Sequence, residues 1–165
     1  MVREISAGGV VVRNEDGVWW TAVIERPIEP SATPKTSKRP VRSKPEPVLC
    51  LPKGLLGPGE KALDAALREV REETGITAVP ITKLADIKYV YVRSWGGGER
   101  VFKIVSFYLL LYESGRIDDV SGEMRIEVAR AKWMRLEEAA KLLAYRGEKQ
   151  MARQALEYVE AHADV

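Results

Sequence analysis

Three carboxylates crowd one side of a short run, Arg68-Glu69-Val70-Arg71-Glu72-Glu73. If the run is helical, Glu69, Glu72 and Glu73 fall within an arc of roughly 100°. Like charges four residues apart, as at Glu69 and Glu73, cost an isolated helix about 0.2–0.5 kcal/mol. The crowding makes sense if a divalent cation sits among them. Oxygen donors of this kind suit Mg²⁺ or Mn²⁺, which favour octahedral geometry and keep waters while bridging to phosphates. Two or three carboxylates plus a loop carbonyl could hold one or more such ions. The ion then neutralises phosphate oxygens, orients a phosphate chain and lowers the pKa of an attacking water. A carboxylate not used for the metal can accept that water's proton.

These groups need a helix that docks on one side and presents charge on its flank. Leu63, Ala66, Leu67 and Val70 follow the spacing of an apolar stripe and supply the docking side. Arg68 stands four residues before Glu72, so it can pair with that carboxylate and fix its rotamer. Gly75 is placed as a left-handed terminator. Upstream, Pro52, Gly54, Gly57, Pro58 and Gly59 exclude regular structure and specify a tight loop, which carries Glu60.

The stretch Gly54 to Ile76 fits the pattern G-x5-E-x7-R-E-U-x-E-E-x-G-U, with U a bulky aliphatic residue. The matching positions are Gly54, Glu60, Arg68, Glu69, Val70, Glu72, Glu73, Gly75 and Ile76. In this the chain resembles the Nudix hydrolases. The resemblance implies an α/β fold, an α/β/α sandwich with a mixed β-sheet between helices. It also implies a metal-dependent pyrophosphohydrolase. On it, Glu69 and Glu73 are the first metal ligands, Glu72 contributes to metal or base work, and the Gly54 carbonyl is a further ligand. Glu60 orients the helix and binds metal indirectly, while Arg68 is an orienting partner rather than a base. In some family members the base lies on a later loop, a place that Glu123 or Glu127 could fill. Lys53, next to Gly54, is a candidate to lie against the phosphate chain.

Composition fits one soluble domain over residues 1–165, with hydrophobic residues at 45%, charged residues at 30% and a net charge of +2. Cys50 is the sole cysteine, so no internal disulfide is available, and its neighbours Leu49 and Leu51 read as a buried strand. The longest apolar run, Val105 to Tyr112, is too short to span a bilayer, and the N-terminus carries no signal-peptide pattern. A cytoplasmic setting is expected, with no membrane partner. The single histidine, His162, leaves no zinc site built on His and Cys. Neither a G-x-S-x-G elbow nor a G-x-x-x-x-G-K-[ST] loop is present.

Along the chain, Ile5 to Arg13 and Val18 to Arg26 read as strands around the turn Asn14-Glu15-Asp16-Gly17. Residues 27–47 form a Pro/Lys/Arg-rich flexible insertion whose composition cannot build a core. Its basic residues could steer a polyanion. It has no interleaved aromatics, so nucleic acid is not the expected partner. Val48 to Leu51 reads as a short strand. Ile81 to Arg93 and Arg100 to Tyr112 form a second hairpin around Trp95 to Gly98, and Ala131 to Arg135 a last strand. Helices follow at Leu136 to Ala144 and Glu148 to Ala161. Strands and helices in this order specify a mixed sheet with helices on both faces.

The box leaves the substrate open, and weaker signals narrow it. Leu51-Pro52-Lys53-Gly54 with Pro58-Gly59-Glu60 is similar to the diadenosine polyphosphate and diphosphoinositol polyphosphate branch of the family. So are Lys88-Tyr89-Val90-Tyr91, and Lys132-Trp133-Met134 with the helix start after it. Tyr89 and Tyr91 are candidates to stack on adenine, with the expectation that strand alternation keeps both from facing one pocket. The expected substrate is a diadenosine polyphosphate. Alternatives are a nucleoside triphosphate, ADP-ribose or an inositol pyrophosphate, or a nucleotide-binding module without turnover. A monomer or homodimer is expected.

Overall fold

The computed structural model describes residues 2–27, 47–93, 97–162 and 164–165. The insertion expected at 27–47 falls almost wholly outside them, as do Trp95 and Gly96 of the second hairpin turn.

β1 (Val2–Glu15) and β2 (Val18–Arg26) form the first hairpin. Its turn is closed by the Gly17 N–H donating to Asn14 Oδ1 at 3.1 Å, with Asp16 and Gly17 both at positive φ. β3 (Val48–Cys50) and β4 (Lys53–Leu55) lead into α1 (Ala62–Thr74). β5 (Thr77–Val92) and β6 (Arg100–Ser114) form the second hairpin. A 3₁₀ turn at Met124–Ile126 precedes β7 (Arg130–Arg135), α2 (Leu136–Leu142) and α3 (Arg146–Ala161).

The strands make one seven-stranded sheet in the order β3-β2-β1-β6-β5, with β4 paired to β1 and β7 to β2. β1 and β6 run parallel while the other pairs are antiparallel, so the sheet is mixed as expected. β1 lies inside the sheet and is buried on both faces. Val10 and Val12 join Val105, Phe107 and Leu109 beneath α2 and α3, while Val11 joins Leu110 beneath Val70 of α1. Alternation along one strand thus feeds two cores. Among the described residues, no helix is long and apolar enough to cross a membrane.

Two expectations shift. The proline- and glycine-rich stretch before α1 is not all loop, because Lys53–Leu55 pairs with Ser6–Gly8 of β1. A two-sided fit explains this, since Gly54 carries no side chain to collide with α1 above it. β5 also starts before Ile81, at Thr77. Register shifts at Thr77/Ala78, Pro80/Thr82 and Lys83/Ala85 break the period-two pattern while pairing with β6 continues. β5 is an edge strand, where a proline is tolerated.

Candidate active site

Arg68 is the hub of the carboxylate helix. Its Nε and Nη2 reach Glu60 at 2.8 and 2.9 Å. Its Nη1 donates to Glu69 Oε1 at 2.9 Å and Glu72 Oε2 at 3.0 Å, and Nη2 also reaches the Leu55 carbonyl at 3.0 Å. Glu60 further accepts the Gly57 N–H at 2.8 Å. The Arg68 and Gly57 bonds hold the Glu60 carboxyl down at about 2. One planar guanidinium therefore clamps the glycine loop to the helix and relieves the repulsion between Glu69 and Glu72. The expected Arg68–Glu72 pair is present, and Glu60 bonds to the same guanidinium.

Glu73, on the charged flank of α1, is closed off from solvent. It is only 1% exposed, its Oε1 accepting the Lys53 N–H at 2.8 Å and its Oε2 meeting Arg26 at 2.5 Å. Burial pushes its carboxyl up to about 7, against the pull of Arg26 and the Lys53 N–H. Burial also raises Glu69, with Arg68 opposing. Glu69 lies directly over Gly54, where an added β-carbon would collide with its carboxyl group. Glu72, by contrast, is exposed.

Whether a hard cation fits depends on which oxygens stay open. Arg68 uses one oxygen each of Glu69 and Glu72. Glu69 Oε2 and Glu72 Oε1 accept no hydrogen bond from any described residue. Each Glu73 oxygen accepts a single bond, and a carboxylate oxygen has two lone pairs. Among the described residues, no three acidic, His or Cys side chains already converge as a metal cage. The reason is visible in the hydrogen bonds, because Arg68 and Arg26 sit against the carboxylates that the charge pattern alone would bring together. The donor set is all oxygen and has open lone pairs, which fits a Mg²⁺-type ion.

Beside this centre lies a cleft of about 560 Å³. It exists because β5 and β6 outrun the helices. The face that α3 covers at Ile87, Val105 and Phe107 continues beyond it to Tyr89, Tyr91 and Lys103. Arg26, Lys53 and Tyr145 close the other sides. Tyr89 and Tyr91 both line this cleft, with ring centroids 6.2 Å apart. The expectation that they could not share a pocket is corrected, since residues two apart on a strand point to the same face. The Tyr91 hydroxyl donates to Glu4 at 2.8 Å, which fixes its ring.

Lys53 joins cleft to centre. Its N–H serves Glu73, its carbonyl accepts from Arg26 at 3.4 Å, and its ammonium pairs with Glu148. A second cleft, about 780 Å³, lies against α1 and is lined by Arg68, Arg71, Glu72, Glu123 and Glu127. The two late-loop carboxylates are exposed and share that space with Glu72. Cys50 is buried as expected, and burial pushes its thiol up to about 11, out of reach as a nucleophile.

Sequence reading missed Arg26, Lys103, Tyr145 and Glu148. Arg26 and Lys103 sit in strands whose period-two pattern marks a face but not what lies over it. Glu148 in the first turn of α3 looks like an ordinary complement to the helix dipole. Nothing local distinguishes it.

The sheet flanked by helices, the glycine loop and the Arg68-centred carboxylates are the features of a single family. Residues 3–155 match the NUDIX domain, and the chain belongs to the NUDIX family. It is 34% identical over 159 residues to a Mycobacterium tuberculosis protein named MutT4, covering 96% of this chain and 57% of that protein. It is 34% identical over 101 residues to the mouse bis(5'-nucleosyl)-tetraphosphatase (asymmetrical), covering 58% of this chain and 60% of that protein. The chain thus spans less than two thirds of the length of these curated relatives. Its fold is similar to a Caenorhabditis elegans Ap4A hydrolase in a binary complex, with a TM-score of 0.61 at 21% identity over 96% of this chain and 98% of that one. It is also similar to the NUDIX domain of Shewanella oneidensis NrtR complexed with ADP ribose, with a TM-score of 0.67 at 16% identity, covering 96% and 90% of the two chains.

Proposed function

We propose that this chain is a metal-dependent pyrophosphohydrolase that cleaves a nucleoside polyphosphate, with a diadenosine polyphosphate as the preferred substrate. The observation that carries this reading is the double engagement of Lys53. Its backbone serves the carboxylate centre through Glu73, while its side chain lines the tyrosine-walled cleft.

In this reading Glu69, Glu73 and the Gly54 carbonyl hold Mg²⁺ or Mn²⁺, with Glu60 acting indirectly through Arg68. When bound, the ion supplies charge neutralisation on phosphate oxygens and a lowered pKa for its water. Lys53, Arg26 and Lys103 receive the phosphate chain in the cleft. Tyr89 and Tyr91 offer their ring faces to a base, which favours a nucleoside over an inositol ring. Glu72, the most exposed of the three helix carboxylates, accepts the proton of the attacking water. Glu123 and Glu127, lining the same cleft as Glu72, are the alternative acceptors. Water's oxygen bonds to phosphorus, the anhydride P–O bond breaks, and the leaving phosphate departs with the bridging oxygen.

A product-resolved screen in oxygen-18 water, with Mg²⁺ or Mn²⁺, tests this. The screen covers diadenosine polyphosphates, nucleoside triphosphates, ADP-ribose and inositol pyrophosphates. The expected result is fastest turnover of a diadenosine polyphosphate, with label in one product. Faster cleavage of another class would reassign the substrate. Tight nucleotide binding with no product after long incubation would leave a binding module.

A further inference from the structure

Glu148 carries a buried charge that the carboxylate centre does not use. It is 3% exposed, in the first turn of α3, far from α1 in sequence. One oxygen accepts the Leu51 N–H at 2.6 Å, and the other pairs with the Lys53 ammonium. The Tyr145 ring lies 5.2 Å from the same ammonium. Lys53 is therefore held at three points, by Glu73 at its N–H, Arg26 at its carbonyl and Glu148 at its side chain.

We propose that Glu148 is a positioning residue that fixes Lys53 as the phosphate-chain contact of the cleft; this rests on the nucleotide-polyphosphate reading above. A free lysine side chain has many rotamers and would order only on binding. A buried carboxylate removes that freedom in advance. An ammonium has three protons. Glu148 takes one of them, and the others remain for oxygens of an incoming phosphate chain. The bond to the Leu51 N–H fixes where Glu148 itself stands, so α3 sets the position of Lys53 relative to Tyr89 and Tyr91 across the cleft. A helix-dipole role alone would not require burial, nor a partner on a separate element.

The test compares wild type, Glu148→Gln, Lys53→Met and the double variant. ATP and adenosine binding are measured by calorimetry, and kcat and KM with diadenosine tetraphosphate and Mg²⁺. The amide oxygen of Gln can still accept the Leu51 N–H, and thermal melts check the fold. Glu148→Gln is expected to weaken ATP binding about tenfold while leaving adenosine binding unchanged. It should raise KM more than it lowers kcat, and the double variant should be no worse than Lys53→Met alone. Equal losses for ATP and adenosine, unchanged ATP affinity, or additive losses would overturn the proposal. So would a wild-type chain that binds no ATP. If Glu148→Gln does not fold, Lys53→Met decides: selective loss of ATP affinity supports the proposal and retained ATP affinity overturns it. Failure of the functional reading looks different, because wild type would then bind ATP but leave diadenosine tetraphosphate intact.

Discussion

Gly54 makes room for Glu69: a β-carbon on Gly54 would overlap the Glu69 carboxyl group, which Arg68 holds through Oε1. Strand β4 and helix α1 can approach closely only because this position has no side chain. Gly54→Ala should displace the Glu69 carboxylate and lower kcat about a hundredfold, the scale of a misplacement near 1 Å. Steady-state kinetics beside a thermal melt checks this, and a variant with unchanged kcat would deny Glu69 its role.

Glu72 is exposed and held by one arm of Arg68, so its charge can be removed without unsettling the core. Glu72→Gln should fold normally and lose turnover by about a hundredfold or more at saturating Mg²⁺. Glu123→Gln and Glu127→Gln should each keep most of theirs. A collapse of activity in either late-loop variant, with Glu72→Gln near normal, would move the base to that loop.

Glu60 contributes a pH-dependent part of the stability. Its folded carboxyl sits at about 2 against an ordinary value of 4.5, held down by Arg68 and the Gly57 N–H. On acidification the unfolded chain takes up a proton before the folded one does. The contribution is present above an ordinary pKa of about 4.5 and is lost as pH falls toward about 2. Urea unfolding between about pH 6 and about pH 3 should show a smaller decline in Glu60→Gln than in wild type. Parallel curves would refute the assignment.

Gly75 ends α1 at φ 83°, and a β-carbon there would approach the Arg116 carbonyl at 2.6 Å and the Asp119 carbonyl at 2.7 Å. Gly75→Ala combines left-handed strain with backbone collision and should cost about 2 kcal/mol or more. Its measure is the urea midpoint, which should fall clearly below wild type.

The tyrosines give a binding prediction. Tyr89→Ala should weaken adenosine binding about tenfold, within the range of base–aromatic stacking. Tyr91→Phe removes the hydroxyl that donates to Glu4 and should act more mildly. Calorimetry with adenosine separates the two, and equal effects would point to the hydroxyl rather than the ring.

The one-dimensional pattern determined much of this protein. Glycines and charges at fixed spacing in Gly54 to Ile76 specify a loop, a helix and its terminator. Each depends on contacts within a few residues, such as Arg68 with Glu72 and Gly75 closing on Arg71. Apolar patterning likewise marked strands, with Ile5 to Arg13 and Val18 to Arg26 falling within β1 and β2. The tertiary structure alone decided what surrounds the carboxylates. Glu73 is buried because Arg26 and Lys53, from β2 and β4, close over it. Tyr89, Lys103, Tyr145 and Glu148 share one cleft because β5 and β6 extend past α3. Local preference acts over a turn or a strand pair, whereas burial and ion pairing depend on which distant segments the packed sheet and helices bring together.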